Sequence, residues 1–177
     1  MNAKLVFLDR DGVVLRAVVR QGLPYAPSPS EVELLPGVKE AVRRLRAAGY
    51  RMIVVTNQPD VKRGRLRRED VDWIHAWIKE QLPEIDEVRA CFHDDDDHCN
   101  CRKPEPGMIL QGRAGLMNRS RCFMVGDRWR DMEAGRRAGC TTIFVDQGYS
   151  EPAPAGFDRK VCSLMEACEW ILSRSDP

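Results

Sequence analysis

Five short apolar runs, at residues 5–8, 52–56, 88–92, 122–125 and 142–145, punctuate the chain. Their length and β-branched content predict buried strands. The intervening segments carry apolar residues every three or four positions, the period of a helix with one buried face. Val38, Ala41, Val42 and Leu45 form one such stripe, ended by Gly49, and Val71, Ile74, Trp77 and Ile78 form a second. A third helix is expected to start at Pro106, because proline suits a first helical turn. A fourth spans 129–138, before Gly139, and a fifth spans 164–172 with Leu164, Cys168, Ile171 and Leu172 on one face. Strand and helix in alternation predict an α/β fold: a Rossmann-like three-layer sandwich around a central parallel sheet. Two stretches follow neither period. Residues 16–36 contain Pro24, Pro27, Pro29 and Pro36 and read as a flap; residues 148–157 read as a second Pro/Gly-rich connection.

Composition narrows the class. The 177 residues are 43% hydrophobic and 31% charged, which suits one globular domain over 1–177. A formal net charge of +1 argues against nucleic acid and against a membrane surface as partner. Charges begin at Lys4 and no apolar run approaches a membrane span, so a cytoplasmic protein is expected. Seven cysteines then read as metal ligands or buried thiols before disulfides. Cys122, Cys140, Cys162 and Cys168 are expected in the core, as are Trp73, Trp77 and Trp170; Trp129 suits either a crevice rim or a helix contact.

The polar residues at the strand ends carry the chemistry. The first strand runs into Asp9-Arg10-Asp11-Gly12. Residues i and i+2 of an extended chain point the same way, so both carboxylates can face one site at the strand's carboxyl end, where open α/β sheets hold ligands. The second strand ends in Thr56-Asn57-Gln58, Lys103-Pro104 follows the third, and Gly126-Asp127-Arg128 closes the fourth with Asp131 one turn on. Taken singly, these are turn carboxylates, a strand threonine and a solvated lysine. Brought together, they suit phosphoryl transfer. One carboxylate can attack phosphorus and another can move the proton. Carboxylates also suit Mg²⁺, and threonine and lysine can hold phosphoryl oxygens.

Between the third strand and Lys103 lies Cys91-x-His93-x5-Cys99-x-Cys101. Three thiolates and an imidazole match a closed tetrahedral structural Zn²⁺ site, on a loop of about residues 91–102 that would place Arg102 and Lys103 over the crevice. Asp94 to Asp97 between the ligand pairs read as a solvated loop tip.

The ordered set Asp9-x-Asp11-Gly12, Thr56-Asn57, Lys103-Pro104 and Gly126-Asp127 resembles the four motifs of the haloacid dehalogenase-like phosphatases. The resemblance implies Asp9 as nucleophile and Asp11 as general acid/base. It implies Thr56 and Lys103 as phosphoryl-binding residues. Mg²⁺ would be held by Asp9, the Asp11 carbonyl and Asp127, with Asp131 in support. The zinc loop joined to Cys101-Arg102-Lys103-Pro104-Glu105-Pro106-Gly107-Met108, with Lys62-Arg63-Gly64 following Asn57-Gln58, is similar to the branch that acts on D-glycero-D-manno-heptose 1,7-bisphosphate at its 7-phosphate. Histidinol phosphate phosphatase is the near alternative, and a catalytically silent zinc-binding module is the alternative from another class. Pro59-Asp60 departs from the branch's usual Ser-Gly. On this reading Asn57, Gln58, Arg63, Arg102 and Arg128 would grip a small sugar bisphosphate. No separate cap domain is expected, because the gaps between motifs hold only the flap and the zinc loop. A monomer is expected.

Overall fold

The computed structural model describes residues 4–113 and 121–174. Six strands make one parallel sheet: β1 (Lys4–Leu8), β4 (Tyr50–Asn57), β5 (Glu87–Cys91), β6 (Cys122–Gly126), β7 (Thr141–Val145) and β8 (Arg159–Val161), in the order β5-β4-β1-β6-β7-β8. Strand β1 is central, with Leu8 opposite Val54 of β4 on one side and Val125 of β6 on the other. The chain leaves β1 toward β4 and later returns to its far side at β6. That reversal opens a crevice beyond the strands' carboxyl ends.

The strands are apolar on both faces because helices cover both. Val6 and Leu8 point into a core with α1 (Val38–Ala47), α2 (Arg68–Gln81) and α5 (Leu164–Ser173). Leu5 and Phe7, the alternate residues, point into a second core with α3 (Gly107–Gly112) and α4 (Trp129–Arg137). The helical stripes read from the sequence are the buried faces: Val38, Ala41, Val42 and Leu45 are each at most 1% exposed. The fold is thus Rossmann-like α/β, with no separate cap domain among the described residues. No described helix is long and apolar enough to cross a membrane.

Several expectations need correction. The flap contains an antiparallel hairpin, β2 (Val18–Arg20) and β3 (Leu23–Tyr25). Its two-residue turn, Gln21-Gly22, has positive φ at both positions, the geometry that matches strand twist. Gln-Gly is a weaker signal for that turn than Asn-Gly, which is why the period missed it. Arg16 N to Glu33 O at 2.9 Å closes the flap's base on itself, and Leu35 N to Val14 O at 3.0 Å ties it to the body. Strand β8, with only Val161 buried of its three residues, lacked an apolar run. Trp73 is 48% exposed and Cys162 is exposed, so neither is a core residue. Pro106 caps α3 instead of opening it, and 114–120 lie outside the described residues.

Candidate active site

Asp9 extends β1 by one residue: its N–H donates to Val125 O at 2.9 Å, and this pins the carboxylate at the sheet's end. Beside it, the Lys103 ammonium lies 2.7 Å from Asp9 Oδ1 and 2.5 Å from Asp131 Oδ1, and donates to Val55 O at 2.8 Å. Asp9, Thr56, Lys103, Asp127 and Asp131 are each at most 7% exposed. Oxygens of Asp9, Asp127 and Asp131 lie within 4.8 Å of one another.

Three carboxylates and one ammonium leave an excess of negative charge in a buried place. Burial, with Asp9 and Asp131 nearby, raises Asp127 well above the usual carboxylate range. Burial and Asp9 push Asp131 up to about 6, against the opposing pull of Lys103. For Lys103 burial works downward, but Asp131 and Asp9 overcome it and hold the ammonium raised. Both oxygens of Asp127 are buried without a hydrogen-bond partner. Orphaned carboxylate oxygens amid excess negative charge fit a hard divalent cation. The acids gathered here are Asp9, Asp127 and Asp131, whereas the Asp11 side chain is drawn elsewhere. Both its oxygens accept from Arg10, at 2.9 and 3.0 Å, and Oδ2 also accepts from Gln58 Nε2 at 2.9 Å.

Gly12 explains the motif's third position. Its φ is +94°, and a Cβ there would fall 1.9 Å from Asp127 Oδ2 and 2.7 Å from the Tyr149 hydroxyl. Only glycine lets the turn pass this close to the acid cluster.

The crevice has a volume of about 240 Å³ and is lined by Asp9, Asp11, Thr56, Lys103 and the flap residues Leu23 to Ala26. Arg63, Arg65, Arg128 and Arg130 line it as well. Asn57 also borders it, but its side chain is engaged: Nδ2 donates to Lys103 O at 2.9 Å and Oδ1 accepts from Lys103 N at 3.0 Å. It clips the lysine's backbone to β4. Gln58 bridges Asp11 to the Thr56 hydroxyl, 2.9 Å away. Arg102 does not line this crevice. Its Nε donates to Asp95 Oδ1 at 2.8 Å, in a separate groove lined largely by the Cys/His loop.

The acidic run is a set of anchors and not a free loop tip. Asp94 receives Arg63 through two bonds of 2.5 and 2.6 Å. Asp95 receives Arg102 and, at 3.1 Å, Arg130. Lys62 pairs with Asp96 at 3.0 Å and Asp97 at 2.7 Å. Arg128 is held by Glu151, through Nε at 2.9 Å. Sequence reading missed Arg130, Glu151 and Tyr149. No spacing marks them, because Arg130 reaches the rim from the first turn of α4 and Tyr149 and Glu151 from the loop after β7.

Below the acidic run, Cys101 Sγ lies 3.1 Å from Cys91 Sγ, 3.5 Å from Cys99 Sγ and 3.4 Å from His93 Nδ1. A tetrahedral zinc site has ligand–ligand edges of roughly 3.5–3.8 Å, so these four can hold a metal with little rearrangement. Arg102 N donates to Cys99 Sγ at 3.4 Å, the outer bond expected of a ligating sulfur.

A capless Rossmann-like sheet with a carboxylate and lysine crevice at its carboxyl end defines a class of hydrolase. A family model described as haloacid dehalogenase-like hydrolase matches residues 17–139, and the chain belongs to that family; it is a phosphatase. It is 36% identical over 145 residues to the D-glycero-beta-D-manno-heptose-1,7-bisphosphate 7-phosphatase of Rhodopseudomonas palustris, covering 75% of this chain and 78% of that relative. It is 35% identical over 165 residues to the D-glycero-alpha-D-manno-heptose-1,7-bisphosphate 7-phosphatase of Mycobacterium tuberculosis, covering 86% and 85%. The crystal structure of D,D-heptose 1,7-bisphosphate phosphatase from B. bronchiseptica, complexed with magnesium and phosphate, superposes with a TM-score of 0.81 at 31% identity, covering 96% of this chain and 98% of that one.

Proposed function

We propose that this protein removes the 7-phosphate of D-glycero-D-manno-heptose 1,7-bisphosphate through an aspartyl-phosphate on Asp9, with Mg²⁺ in the carboxylate cluster. The observation that carries this reading is the juxtaposition of a buried carboxylate, a buried lysine and two further acids at the end of β1. Relatives named for this substrate, over most of their length, support it.

The Asp9 carboxylate attacks phosphorus, and the bond from phosphorus to the sugar oxygen breaks. Asp11 supplies the proton that the leaving oxygen takes up. Water then attacks phosphorus, Asp11 accepts its proton, and the Asp9–phosphorus bond breaks to restore the carboxylate. Thr56 and Lys103 hold the oxygens of the transferring group. Bound among Asp9, the Asp11 carbonyl and Asp127, with Asp131 beside them, Mg²⁺ supplies charge neutralisation between nucleophile and phosphate. Arg63, Arg128 and Arg130, fork-shaped donors at the rim, suit the second phosphate; Arg102 acts from behind them. A rim of arginines disfavours a cationic aminoalcohol phosphate, which sets histidinol phosphate second.

Cys91, His93, Cys99 and Cys101 hold a structural Zn²⁺ in this reading. The protein works as a single-domain monomer in the cytoplasm, where its seven unpaired thiols stay reduced. The test is chemical trapping. Rapid acid quench of the Mg²⁺-loaded enzyme during turnover should leave a phosphoryl group on the peptide bearing Asp9, absent from Asp9→Asn. A phosphoryl group on another residue, or none under conditions of full turnover, would refute the mechanism.

A further inference from the structure

Arg10 stands between the two motif aspartates, and its side chain runs the opposite way, into the protein. It is 0% exposed, the largest fully buried side chain described. A buried guanidinium is costly unless its donors are matched, and an apolar residue would fill the same space without that cost. Its donors have specific partners. Nε and one Nη take both oxygens of Asp11, at 2.9 and 3.0 Å, and the other Nη lies 3.1 Å from His75 Nε2 on α2. Guanidinium only donates, so His75 Nε2 accepts and the ring is neutral with its proton on Nδ1. The Arg10 carbonyl also accepts from Val14 N at 2.9 Å and Leu15 N at 2.8 Å, which fixes the backbone beneath the side chain.

A carboxylate offers about four acceptor positions. Arg10 fills one on each Asp11 oxygen, and Gln58 fills the second on Oδ2. One position remains, on Oδ1. We infer that Arg10, steadied by His75, is a positioning residue that selects the single Asp11 lone pair used for proton transfer. This rests on Asp11 acting as the acid/base proposed above. Arg10 touches neither substrate nor phosphorus; it acts through Asp11.

The test separates the two half-reactions. A sugar leaving group needs a proton from Asp11, whereas nitrophenolate leaves without one; the phosphoenzyme is the same for both substrates and needs Asp11 to activate water. Arg10→Met should therefore lower kcat for heptose 1,7-bisphosphate about a hundredfold, with KM little changed. On p-nitrophenyl phosphate it should give a pre-steady-state burst of about one nitrophenolate per enzyme, followed by slow turnover. His75→Leu should show the same pattern more weakly, and His75→Gln, which restores an acceptor, should recover most of it. Because Arg10→Met leaves Asp11 and His75 without their buried donor, the His75 pair provides the same readout in a milder background. An unchanged kcat in folded Arg10→Met, with Asp11→Asn inactive, would overturn the inference. Parallel losses in kcat and KM without a burst would also overturn it, as a merely structural effect. Full activity in Asp11→Asn would instead refute the acid/base reading, and the relay would fall with it.

Discussion

At the scale of residues, the crevice is a problem of charge. Asp9, Asp127 and Asp131 share a buried pocket with the Lys103 ammonium, and Asp127 answers by holding its proton above the ordinary range. A bound cation must displace such protons. Asp131 titrates near 6: above that pH it is ionised and available, below it a proton competes. Mg²⁺ affinity measured by calorimetry should therefore weaken as pH falls through about 6; an affinity that rises in that direction would contradict the assignment. Gly12 gives a second outcome. Gly12→Ala must hold φ at +94° and drive a methyl into Asp127. It should lose about 1–2 kcal/mol of stability from the backbone alone, seen in the denaturation midpoint, and Mg²⁺ binding with it. Asp9→Asn keeps the shape and removes the nucleophile, so phosphate release should fall at least about a thousandfold while the melting temperature stays near that of the wild type.

At the scale of elements, the Cys/His loop proposed to hold Zn²⁺ and its acidic run form one device. Cys91 ends β5, and Asp94 and Asp95 carry Arg63, Arg102 and Arg130. Removing the proposed Zn²⁺ should free the run and scatter these guanidinium groups. Chelation, or Cys101→Ser, should raise KM for a bisphosphate by about tenfold while changing KM for a monophosphate less; equal effects on both would argue against anchoring. The sequence made much of this legible. The burial of Leu5 to Leu8 on both faces follows from an unbroken apolar run and the stripe of α1 from its period, and Asp9, Asp11, Thr56 and Asp127 stand at or just past strand ends because parallel sheets place them there, while Lys103 comes in from the loop after β5. What escaped reading depends on side-chain direction. Arg102 turns outward to Asp95, Asn57 spends its amide on the Lys103 backbone, and Arg10 turns inward to His75, sixty-five positions away. The β2–β3 hairpin and β8 escaped because they bury too little to leave a period.

At the scale of the molecule, one sheet reversal beside β1 gathers motifs from residues 9 to 131 into one crevice. With no cap domain among the described residues, the hairpin and the arginine rim define the opening, which suits a small substrate with a second anionic group. The relatives include enzymes named for either anomer of the sugar at nearly equal identity. The measurement that tests the account most directly is phosphate release by the Mg²⁺- and Zn²⁺-loaded protein from both anomers of heptose 1,7-bisphosphate and from histidinol phosphate. The account predicts rapid release of one phosphate from a heptose anomer, the 1-phosphate being retained, and slow release from histidinol phosphate. Preference for histidinol phosphate, or loss of the 1-phosphate first, would contradict it.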